Sequence, residues 1–178
     1  MALVLFDTNI LVDALKGIPE AFRELDYFAD PAISAVTWME LIAGAPLSEQ
    51  PRARAFLVSL RFEVIHTNDA IMHEAASVRG ASSRRPPKIA LPDAIIKATG
   101  NVTQRLIITR NKKDFVGANI RIPYELETQT IVQIINVMPP PAQWLVRHRG
   151  AGAGTGVAVI EPGEGGIAVH RRRLRQPR

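Results

Sequence analysis

The chain has 178 residues, 47% of them apolar, no cysteine, and a formal net charge of +5. That length supplies one ordinary core plus a tail, and the lack of cysteine excludes a disulfide framework or a thiolate metal site. The charge belongs to residues 139–178, where seven Arg face two Glu; residues 1–138 are neutral, so the basicity says little about the globular part.

Leu3–Phe6 is apolar without alternation, which predicts a strand buried on both faces. The spacing predicts a helix over 9–16, capped by Thr8 or Asn9 and stopped by Gly17. A second helix follows over 19–29 with Pro19 in its first turn. A strand over 32–36, a helix over 37–43 ending at Gly44, a helix over 48–60 and a strand over 62–65 come next. Ile71, Met72, Ala75 and Val78 recur at helical spacing, giving a helix over 69–78. GASSRRPPK, residues 80–88, reads as a basic loop. A helix over 92–99, strands over 106–109 and 120–122, and one more strand over 131–137 complete the pattern. Strands alternating with helices predict an α/β fold with a mainly parallel sheet, whose ligands bind outside the carboxyl ends of the strands.

The character changes after Val137. Three prolines (139–141), the flexible GAGAGTG of residues 150–156 and the basic run HRRRLRQPR follow. The predicted organisation is a domain over 1–138 and a Pro/Gly/Arg-rich extension over 139–178. A weak hairpin is expected around Pro162-Gly163. Asp7 and Asp13 interrupt the first apolar run, which argues against a signal peptide, and no stretch reaches the roughly 18 apolar residues of a membrane span. The expected location is the cytoplasm, with no membrane partner.

Three acids share one context: Asp7, Glu40 and Asp93 each follow a strand or start a helix beside strongly apolar residues. Each alone has a structural explanation. Thr37 and Glu40 have capping-box spacing, Asp93 behind Pro92 suits a helix dipole, and Asp7 suits an N-cap. Capping, however, needs only an exposed carboxylate. Carboxylates crowded beside a core repel one another, and a divalent cation relieves that repulsion. Oxygen donors alone suit Mg²⁺ or Mn²⁺. Asn111 and Asp114, after the strand over 106–109, are candidates for a fourth position.

These pieces resemble a PIN-domain ribonuclease of the VapC toxin type. VLFDTNILVDAL (4–15), SAVTWMELIAG (34–44), LPDAIIKATG (91–100) and LIITRNKKDF (106–115) occur in that family's order, and IRIPYEL (120–126) resembles its last short strand. The resemblance spans about residues 2–137. It implies a PIN-like three-layer fold and Mg²⁺- or Mn²⁺-dependent cleavage of single-stranded RNA. It also implies a homodimer and inhibition by a VapB-like antitoxin that inserts a chain segment into the acidic cleft. Carried over by position, Asp7, Glu40 and Asp93 are the acidic metal-site residues, with Thr8 beside the first and Thr109 at the strand end. The fourth acidic position falls on Asn111, with Asp114 nearby.

The resulting assignment makes Asp7, Glu40, Asp93 and Asp114 catalytic, and Asp7, Asp93, Glu40 and Asn111 metal ligands. Thr8, Thr109, Arg110 and Lys112 are assigned to the substrate. Arg84, Arg85, Lys88, Lys97 and Lys113 are further cations available to RNA phosphates. His66 and His73 lie away from the acid motifs. The alternative reading is a catalytically degenerate binding module, favoured by Asn111 in place of an acid. A small-molecule phosphohydrolase with an aspartyl nucleophile ranks last, because Asp7-Thr8-Asn9 lacks a second Asp two residues on.

Overall fold

A computed structural model of the chain describes residues 3–84, 88–128, 132–139, 156–161 and 168–173. Two compact units arise, Met1–Leu145 and Val146–Arg178. In chain order the first holds β1 (Val4–Phe6), α1 (Thr8–Leu15), α2 (Pro19–Tyr27), β2 (Pro31–Ser34), α3 (Ala35–Gly44), α4 (Gln50–Ser59), β3 (Glu63–Ile65), α5 (Asp69–Arg84), α6 (Leu91–Val102), β4 (Leu106–Ile108), β5 (Ile120–Arg121), β6 (Glu125–Thr128) and β7 (Val132–Ile135). The second holds β8 (Gly156–Glu161) and β9 (Ala168–Arg173), paired antiparallel as the expected hairpin; its turn, with Pro162-Gly163, lies outside the described residues.

Five strands form one parallel sheet in the order β3-β2-β1-β4-β5. The central strand β1 is wholly buried, which is why its sequence does not alternate. Its residues still divide between the two faces, because successive side chains in a strand point opposite ways. Val4 and Phe6 join a core with Ile33, Ile108 and residues of α1, α2 and α4. Leu5 joins the other core, with Ala32, Ile107, Val36 of α3 and Ile96 of α6. Helices therefore cover both faces, the expected three-layer α/β arrangement.

Several boundaries differ from the sequence reading. The cap of α1 is neither Thr8 nor Asn9 but Asp7, the other cap that the sequence offers, whose Oδ1 accepts the Thr8 amide at 2.7 Å. The strand β2 ends at Ser34, and α3 begins there: Ser34 Oγ accepts the Thr37 amide at 2.9 Å. Thr37 is thus inside the helix and fully buried, and there is no Thr37–Glu40 capping box. The helix α5 continues through Gly80–Arg84, so that part of the basic stretch is helical; Arg85 lies outside the described residues. The strand β6 has no counterpart among the elements that the sequence predicts. It pairs antiparallel with β7, and Leu126 and Ile134 pack on the first core. Among the described residues no helix is long and apolar enough to cross a membrane.

Candidate active site

The sheet topology decides where the acids go. Because β1 is central, its carboxyl end lies between those of β2 and β4. Asp7 continues the β1–β4 ladder, its amide donating to the Ile108 carbonyl at 3.0 Å. α3, after β2, carries Glu40 in its second turn, and α6 carries Asp93 in its first. Asp7, Thr8, Asn9, Glu40 and Asp93 line one open cleft of about 440 Å³, together with Val12, Asp13, Lys16 and Arg110. The three predicted acids therefore meet, although they are distant in sequence.

Asp7 is only 3% exposed and is held from three sides. Besides the Thr8 amide, its Oδ2 accepts from Asn9 Nδ2 at 2.5 Å and from Thr109 Oγ1 at 2.6 Å. Asn9 Nδ2 also reaches Thr109 Oγ1 at 3.0 Å, while Asn9 Oδ1 accepts the Arg110 amide at 3.0 Å. Thr8 Oγ1 donates to Glu40 Oε2 at 2.5 Å, fixing the second acid from the helix that follows the first.

Burial pushes the Asp7 carboxyl up to about 6; its bonds from Thr109 and Thr8 oppose that, and the charges of Asp93 and Glu40 add to it. Asp93 is raised as well, first by burial, then by the charges of Asp114 and Glu40, against a bond from Asn111. The charges of these acids thus add to the effect of burial, and positive charge placed beside them would relieve it. Among the described residues no three carboxylates close into a finished cage. A hard ion such as Mg²⁺ needs none, since it keeps several waters and takes one or two carboxylates.

The remaining candidates divide. Asn111 does not line the cleft. Its Nδ2 donates to Asp114 Oδ2 at 3.0 Å, its Oδ1 accepts the Asp114 amide at 3.2 Å, and the side chain also bonds Asp93, so it links the two acids. Asp114 lines a neighbouring cavity of about 320 Å³ with Val78, Ala81, Ser82, Ile89, Lys97 and Lys113. Thr109 was expected to touch substrate but is fully buried; its hydroxyl positions Asp7 instead. Lys112 is exposed and pairs with Glu125 at 2.6 Å. Lys97 Nζ faces the Asp114 carbonyl at 3.5 Å. His66 and His73 are exposed.

Sequence reading missed Asp13 and Tyr124. Asp13 is 2% exposed, binds Arg110 through both oxygens (Nη2–Oδ1 3.0 Å, and Nε–Oδ2), and accepts the Tyr124 hydroxyl at 2.8 Å. Its position on the inner face of an apolar helix was the available signal.

Known proteins share this fold. The PIN domain family profile matches residues 4–117. The tRNA(fMet)-specific endonuclease VapC of Shigella flexneri is 27% identical over 116 residues, which is 62% of this chain and 88% of that protein. A toxin–antitoxin complex from Klebsiella pneumoniae contains a chain 37% identical, with TM-score 0.60, covering 68% of this chain and 98% of that one. DNA-bound VapBC from Salmonella typhimurium is 26% identical, with TM-score 0.57, covering 68% of this chain and 96% of that one. The chain belongs to the PIN domain family. Within it, the likeness is to toxins of the VapC type.

Proposed function

We propose that this chain is an endoribonuclease dependent on Mg²⁺ or Mn²⁺, cutting single-stranded RNA as the toxin of a VapBC-type pair in the cytoplasm. The single observation carrying the reading is the convergence of Asp7, Glu40 and Asp93 in one cleft, with Asp7 buried enough to hold its carboxyl up to about 6. The similarity to a VapC endonuclease and to toxin chains solved with antitoxins supports it.

Asp7 and Asp93 would hold the ion, with Glu40 acting through a water. When bound, the ion supplies charge for the crowded carboxylates and an acidified water for attack on phosphorus. The chain's own residues prepare that site. Thr109, Asn9 and the Thr8 amide fix the Asp7 carboxylate, leaving little freedom to lose on binding. Thr8 turns Glu40 toward the cleft, where a carboxylate can orient a water and take its proton. Lys16 and Arg110 on the same wall offset the repulsion that four acids exert on a polyanion.

The partner would be a VapB-like antitoxin, offering cationic side chains to the acid cluster, and the active unit a homodimer. The test is cleavage of a labelled single-stranded RNA with Mg²⁺ or Mn²⁺. Asp7→Asn is expected to lower the rate by at least about 10³-fold while keeping the fold. Cleavage retained in that variant would refute the site. The commitment of Asn111 to Asp114 favours one second reading, a degenerate binding module. Titration calorimetry that finds RNA binding but no heat with Mn²⁺ would select it.

A further inference from the structure

Asp13 and Tyr124 lie beside the acid cluster without belonging to it. The Tyr124 side chain is fully buried and donates to Asp13 Oδ2; burial first, and then the charge of Asp13, holds its hydroxyl far above the ordinary range, so it stays a donor at any working pH. Asp13 takes Nε and Nη2 of Arg110, and within the described residues no hydrogen bond takes Nη1. Arg110 lines the cleft that Asp7, Glu40 and Asp93 line. Its backbone is fixed too, since its amide donates to Asn9 Oδ1, and Asn9 in turn holds Asp7.

Burying a carboxylate, an arginine edge and a phenol adds little stability that apolar side chains of the same size would not add. What it does add is orientation. A guanidinium gripped along one edge presents the other in a fixed direction, which an unpaired lysine on a four-carbon stem does not. We propose that Asp13 and Tyr124 are positioning residues that clamp Arg110 so that its free edge meets a non-bridging oxygen of the RNA phosphodiester in the cleft. This rests on the nuclease reading for its substrate, and what it adds to the presence of Arg110 in the cleft is a fixed direction set by Asp13 and Tyr124.

Two measurements test it. With Mg²⁺ and saturating RNA, at a temperature where each variant is fully folded, Arg110→Lys and Tyr124→Phe are each expected to lower kcat by about tenfold with KM little changed, alongside a lowered thermal midpoint from the lost Asp13 partner. The double variant should be no slower than Arg110→Lys alone, because Tyr124 acts only through Arg110. Wild-type rates in both single variants, or fully additive losses in the double, would overturn the clamp. The second measurement is RNA binding without divalent ions, by anisotropy across salt concentrations. Arg110→Gln should reduce the slope of log K against log salt by about one, the loss of one phosphate contact. An unchanged slope overturns the contact. If wild type binds RNA but never cleaves it, the nuclease reading fails, the Arg110→Gln slope still decides the contact, and an unchanged slope in Tyr124→Phe overturns the clamp.

Discussion

At the scale of single residues, Asp7 carries the electrostatic tension. Its folded carboxyl titrates near 6 and its ordinary value is 3.8, so the native state binds this proton more tightly than the unfolded chain. Stability from this group is therefore present at low pH and is lost as pH rises from about 4 through about 6. Asp93 shifts in the same direction. Asp7→Asn does not titrate, so without metal its stability relative to wild type should climb across that window, by up to about 3 kcal/mol at pH 7. Urea melts of both proteins at a series of pH values check this, and a constant difference would mean that Asp7 is not strained by its charge. Adding Mg²⁺ at pH 7 should narrow the gap by stabilising wild type alone. The sequence announced this residue because an acid directly after an apolar strand is hard to explain by solvation. It did not announce Thr109 as the buried donor to Asp7, since a threonine ending a strand looks the same whether it faces solvent or a carboxylate.

Among the elements, α6 matters most, because it presents Asp93 and packs on the sheet. Gly100 makes its close approach possible: a Cβ there would lie 2.5 Å from Cγ1 and Cδ1 of Ile107 in β4, a side chain with no exposure. Gly100→Ala should cost about 1–3 kcal/mol through overpacking, read as a lowered thermal midpoint, despite alanine's better helix propensity. An unchanged or raised midpoint would mean that Ile107 moves aside freely. The helices and strands of the parallel sheet were legible from apolar runs and Gly or Pro stops, and most ends fell within two or three residues. Ser34 was the costlier miss. Both Ser34 and Thr37 can cap a helix, and only the backbone path after β2 decides between them. The helical continuation through Gly80–Arg84 was hidden because Gly and Ser weaken the helical signal. The strand β6 was hidden because ELET alternates over only four residues.

For the whole molecule, the unit Met1–Leu145 contains the five-stranded sheet, the apolar clusters on its two faces and the cleft, and the family match ends within it. A chain ending at Leu145 is expected to fold with an unchanged urea midpoint and to cleave RNA within about twofold of the full chain, with a shallower salt dependence of binding once the distal arginines are gone. Loss of cleavage on truncation would assign Val146–Arg178 a part in the chemistry. β1 bonds to β4 about a hundred positions later, and the donors that shape Asp7 include Thr109. A nascent chain that has exposed Asp7 and Glu40 therefore still lacks the strand and the hydroxyl that hold the Asp7 carboxylate, and the cleft takes its final form only after residue 109 has followed.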